Sequence, residues 1–132
     1  DGRGRPCVEE GRILSYKLFI DDERFPPEGK EDEYVIARTP AEAMKIMAER
    51  GCPIFISFDH DLGGSLTAMQ VVRAMVEMDM DFLQAGESFI PPEFDYYVHS
   101  QNPIGAANIR GLLNSYLEKR KWLYGNIPNV RL

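Results

Sequence analysis

The chain has 132 residues, with 15 basic against 21 acidic side chains for a formal charge of −6. This length suits one domain with one core, and 44% hydrophobic with 27% charged residues excludes a disordered polyelectrolyte. The negative charge argues against a domain that grips nucleic acid over a broad basic face, and no apolar run reaches the roughly 18 to 20 residues of a membrane-spanning helix.

Residues 1–16 are rich in Gly, Arg and Glu and read as a leader, an upstream fragment or an expression remnant. The domain is expected over 17–120 with a C-terminal tail over 121–132. Without an apolar secretion signal, a cytoplasmic setting is expected. Cys7 and Cys52 have no partners at metal-ligand spacing and read as ordinary thiols. Lys17 to Ile20 is a short apolar run ended by two aspartates, the pattern of a buried parallel strand. Glu23 to Glu33, with Pro26-Pro27 and Gly29 among charges, is a loop, and Tyr34 to Ala37 is a second strand. Thr39-Pro40-Ala41-Glu42 is a helix start with a capping box, and the helix runs to about Arg50 before Gly51. Ile54 to Phe58 is the expected central strand, and Thr67 to Met78 carries apolar residues at helical spacing. Asp79 to Pro92 reads as a long loop or broken helix, with the length of a lid. Phe94 to Val98 is the last strand, and Ile104 to about Arg120 the last helix, followed by a Trp-containing tail that is a candidate to dock on the body.

This order predicts parallel crossovers, a mainly parallel sheet of about four strands and helices on both faces, with the ligand crevice at the carboxyl ends of the strands. Asp21 and Asp22 close the first strand and Asp59 and Asp61 the central one. If these strands are neighbours, the carboxylates crowd together and call for a divalent cation such as Mg²⁺ or Mn²⁺, or for protonation of one member. The structural alternative is that they cap helices or bind loop amides. His60 and His99, the only histidines, both follow apolar strands. Two imidazoles flanking a phosphate can serve as acid and base, or join the aspartates on a metal; singly, each is as readily a hydrogen-bonded core residue. Arg24, Ser100 and Asn102 are candidate phosphate contacts, against an ion pair for Arg24 and a satisfied Asn-Pro turn for Asn102.

From Lys17 to about Leu117 the chain resembles the receiver superfamily, through Asp21-Asp22, Asp59 and Ser100. It has no clear fifth strand ending in that superfamily's lysine, and both histidines are extra. It is more similar to the cyclic-phosphate-processing receiver-like domains, through Ile20-Asp21-Asp22-Glu23-Arg24, Phe58-Asp59-His60-Asp61-Leu62-Gly63 and His99-Ser100-Gln101-Asn102-Pro103-Ile104-Gly105. The resemblance implies a three-layer, flavodoxin-like α/β fold of the kind found in bacteria and their phages. It also implies a phosphoesterase reaction on a cyclic phosphate of a nucleotide or RNA end. In this reading His60, His99 and Asp59 would be catalytic, Arg24, Ser100 and Asn102 would contact substrate, and Asp21, Asp22, Asp59 and Asp61 would hold metal. The alternative is a non-enzymatic module that binds a phosphorylated nucleotide or a protein partner.

Overall fold

A computed structural model describes residues 16–125. The readings made for residues 1–15 and 126–132, including Cys7, lie outside the described residues. Tyr16, assigned above to the leading segment, belongs to the fold: it is buried, and its hydroxyl donates to the Gly51 carbonyl at 2.5 Å.

Four short strands, β1 (Lys17–Ile20), β2 (Tyr34–Ala37), β3 (Phe55–Phe58) and β4 (Asp95–Val98), form one all-parallel sheet in the order β2-β1-β3-β4. The helices are α1 (Pro40–Arg50), α2 (Met69–Gln84) and α3 (Pro103–Tyr124). The α1 cap is the one expected, with the Thr39 hydroxyl accepting from the Glu42 amide at 3.0 Å. The receiver-like α/β class and the four-stranded parallel sheet are therefore present.

Among the described residues, helices cover one face of that sheet, not both as expected. The register places Leu18, Ile20, Val35, Ala37, Ile56, Phe58, Tyr96 and Val98 on one face. The buried residues of all three helices, among them Met47, Val72, Met75, Ile109 and Leu113, join the core on that side. Handedness explains the arrangement. The β2-α1-β3 and β3-α2-β4 crossovers step across the sheet in the same direction, so right-handed connections put both helices on the same face. The β1-to-β2 connection would have to cover the opposite face, but with Pro26-Pro27 and Gly29 it forms only a single 3-10 turn at Glu31–Glu33. Among the described residues, the face bearing Phe19, Tyr34, Phe55, Ser57 and Tyr97 carries no helix.

Two other expectations change. Helix α2 does not stop at Met78 but continues to Gln84, because Asp79 lies on the buried stripe of Met75 and Leu83. The segment after it is no lid. The amides of Phe89 and Ile90 both donate to Asp79 Oδ1 at 2.9 Å, and Ile90 is fully buried. Arg120 Nη1 donates to Asp79 Oδ2 and to the Ile90 carbonyl, each at 2.9 Å, and the Tyr116 hydroxyl donates to Asp79 Oδ2 at 2.6 Å. Helix α3 likewise runs past Arg120 to Tyr124, and Trp122 is 82% exposed rather than docked. Among the described residues no helix is long and apolar enough to cross a membrane.

Candidate active site

Because β1 and β3 are adjacent and in register, their ends deliver Asp21, Asp22 and Asp59 to one place at the carboxyl edge of the sheet. Each offers a carboxylate oxygen, and these oxygens lie within 4.8 Å of one another. An open cleft of about 450 Å³ is lined by Asp22, Glu23, Arg24, Asp59, Asp61, Gly63, Ser100, Gln101 and Asn102.

Asp21 is fully buried and has little freedom. Its Oδ1 accepts the amides of Glu23 at 2.9 Å and Arg24 at 2.8 Å, which bends the chain sharply after β1. Its Oδ2 accepts from His99 Nε2 at 2.9 Å. Burial pushes the Asp21 carboxyl up, but the Arg24 and Glu23 amides and His99 outweigh it, so the group sits below its ordinary value. Asp59 goes the other way. Burial first, and the Asp21 charge second, raise it above the usual carboxylate value, against a hydrogen bond from Ser100 and the charges of His99 and Arg24. Two carboxylates pushed apart in this way are what a shared, crowded site produces.

His99 was expected as an acid or base facing the crevice. Its ring instead stacks on Phe19, with centroids 4.6 Å apart and planes 5° from parallel, and does not line the cleft. With Asp21 ionised, Nε2–H is the donor, and Nδ1 meets the Ser57 hydroxyl at 2.7 Å. Both nitrogens are thus engaged. His60 is also outside the cleft lining: its Nδ1 donates to Asp61 Oδ1 at 2.9 Å, and its ring lies against the first turn of α3.

Asp61 stands apart from the three-carboxylate group. It accepts from His60 and, at 3.2 Å, from Asn102 Nδ2, and these hydrogen bonds hold its carboxyl below its ordinary value. Asn102 is the helix cap of the bland reading, its Oδ1 accepting the Gly105 amide at 2.9 Å, although it also lines the cleft. Arg24 lines the cleft and, among the described residues, forms no ion pair.

Two contributors were missed from sequence. Ser57, which fixes the His99 ring, was signalled by being the one polar residue in an apolar strand. Arg38 had no signal: from the end of β2 its Nη1 donates to the Asp21 carbonyl at 2.9 Å and to the Arg24 carbonyl, pinning the loop that carries the acidic pair.

A parallel sheet with converging aspartates at its carboxyl edge and a hydroxyl after the last strand defines a receiver-like domain with an acidic pocket. A family model described as the cyclic-phosphate processing receiver domain matches residues 16–115, and the chain belongs to that family. No curated protein and no solved structure matches the chain.

Proposed function

We propose that this cleft hydrolyses a cyclic phosphate on a nucleotide or RNA end. The observation that carries the reading is the convergence of Asp22 and Asp59 beside Arg24 and Ser100 in one open cleft, with a carboxylate oxygen of the buried Asp21 within 4.8 Å of theirs. Three hard oxygen donors with mutual separations under 4.8 Å fit a divalent ion such as Mg²⁺ or Mn²⁺, whose octahedral shell sets neighbouring oxygens about 3 Å apart. The upward push of Asp21 on Asp59 is the repulsion such a cation would relieve. When bound, the ion supplies positive charge against the phosphoryl oxygens.

The chain's own groups divide the remaining work. Arg24 and Ser100 contact the non-bridging oxygens. Asp59 takes a proton from the attacking water as its oxygen bonds to phosphorus, and returns it to the ribose oxygen as the ring P–O bond breaks, leaving a phosphomonoester. A carboxylate has two oxygens, so one can face a cation while the other carries the proton. His99 and His60 act here as positioning residues, the first holding Asp21 and the second holding Asp61.

The test is a panel of 2′,3′-cyclic nucleotides and cyclic-phosphate RNA ends with Mg²⁺, Mn²⁺ or chelator, with products resolved by mass. Gain of one water is expected, and Asp59→Asn should lower turnover by about 100-fold or more. The same substitution removes the charge repulsion with Asp21 and should raise the metal-free melting temperature by a few degrees. Unchanged turnover in Asp59→Asn would remove the catalytic assignment. Binding without turnover across the panel would establish the module that only binds.

A further inference from the structure

We infer that Phe25 is a stacking platform for the base of the ligand, so that the site takes nucleoside phosphates in preference to phosphates without a base. The inference rests on the phosphate-site reading above and assigns the residue that would meet the base.

Isolated exposed hydrophobics are ordinary on protein surfaces. The setting of Phe25 is not. Its ring is 67% exposed, yet the backbone on either side is anchored. Just before it, the Asp21 carboxylate holds the amides of Glu23 and Arg24; just after it, Pro26 is buried. The anchored backbone fixes where the ring is rooted, and its exposure leaves ring surface open to solvent.

Arg38 completes the platform. Its guanidinium carbon lies 4.7 Å from the Phe25 ring centroid, while its Nη1 is committed to the carbonyls of Asp21 and Arg24. The arginine that positions the acidic loop is therefore also stacked on the aromatic ring, which strengthens that ring's placement. A base stacking on Phe25 would extend the pile of planar groups by one.

The location matches the geometry of a nucleotide. Arg24 is the one basic residue lining the cleft, and Phe25 is the next residue, about 3.8 Å away between Cα atoms. A nucleoside carries its base on the same ribose that carries the cyclic phosphate; Phe25 is not among the residues lining the cleft, so the base would extend past the cleft's edge to reach it. Stacking is tolerant of base identity, because every base has a π-face, and favours the larger purines.

The test is equilibrium binding by the full chain in Mg²⁺, using adenosine 3′-monophosphate and the base-free glycerol 2-phosphate. Phe25→Ala should weaken the adenosine ligand about tenfold and leave glycerol phosphate unchanged, and Phe25→Trp should retain the wild-type preference. If Phe25→Ala binds the adenosine ligand as the wild type does, or loses both ligands equally, the stacking role is overturned while the phosphate site stands. If the wild type binds neither ligand, with or without Mg²⁺, the phosphate site falls and the stacking role with it.

Discussion

A methyl group at Gly105 would lie 2.3 Å from Cγ of His60 and 2.6 Å from its Nδ1, closer than any carbon can sit without displacing the ring. The imidazole is held through Nδ1 by Asp61, whose second oxygen is tied to Asn102, the cap of the same helix. His60, Asp61, Asn102 and Gly105 thus form a closed loop joining the end of β3 to the start of α3. Gly105→Ala should cost about 2 kcal/mol in a denaturant melt, overpacking outweighing the better helix propensity of alanine. Adding His60→Ala should restore most of that loss, since it removes the ring that clashes; two independent, additive losses would show the contact to be unimportant. Residue by residue, the aspartates were legible because acids that terminate apolar strands have few structural excuses. The histidines were legible as site neighbours, whereas the bonds that occupy them come from Ser57, Asp21 and Asp61, partners fixed only by folding.

Strands and helix starts could be read from local pattern, since apolar runs, the Thr39 capping box and the Asn102-Pro103 start all act within a few residues. The ends of α2 and α3 could not. An acid at position 79 and an arginine at position 120 look like surface residues until their pairing across 41 positions is known. Asp79 accepts from the Phe89 and Ile90 amides, the Tyr116 hydroxyl and Arg120, so it clamps the α2-to-β4 connection to both helices. Burial, the Asp79 hydrogen bond and the Asp79 charge together push the Tyr116 hydroxyl well above its ordinary value, as expected beside a buried carboxylate. Asp79→Ala should destabilise by about 3 to 5 kcal/mol, measured by urea denaturation, because it strands a buried guanidinium. Replacing Arg120 with Leu in that background should not restore stability as it would for a simple ion pair. Two buried amides stay without an acceptor. Recovery to wild-type stability would mean that the charge pair, and not the amide clamp, is what the element needs.

Over the whole molecule, charge sets what can reach the cleft. The chain carries −6, and the cleft is lined by Asp22, Glu23, Asp59 and Asp61 against Arg24 alone. One phosphate would be held there by Arg24 together with a cation on the carboxylates, but further phosphates would meet a cleft in which, among the described residues, Arg24 is the one basic side chain. The reading as a one-ended site therefore makes a demand on ligand length. A ten-nucleotide RNA ending in a 2′,3′-cyclic phosphate should bind no tighter than the mononucleotide, as measured by competition in Mg²⁺. Raising the salt from about 50 to 200 mM should change either affinity by only a few-fold, against the ~10³-fold or greater loss of a protein that neutralises six or more phosphates. Chelating the divalent cation should weaken both ligands alike, because the loss falls on the one phosphate they share. A long RNA that gained affinity with length and shed it steeply with salt would require a basic surface that the described residues do not present in the cleft, and would move the recognition of the chain's partner away from this edge of the sheet.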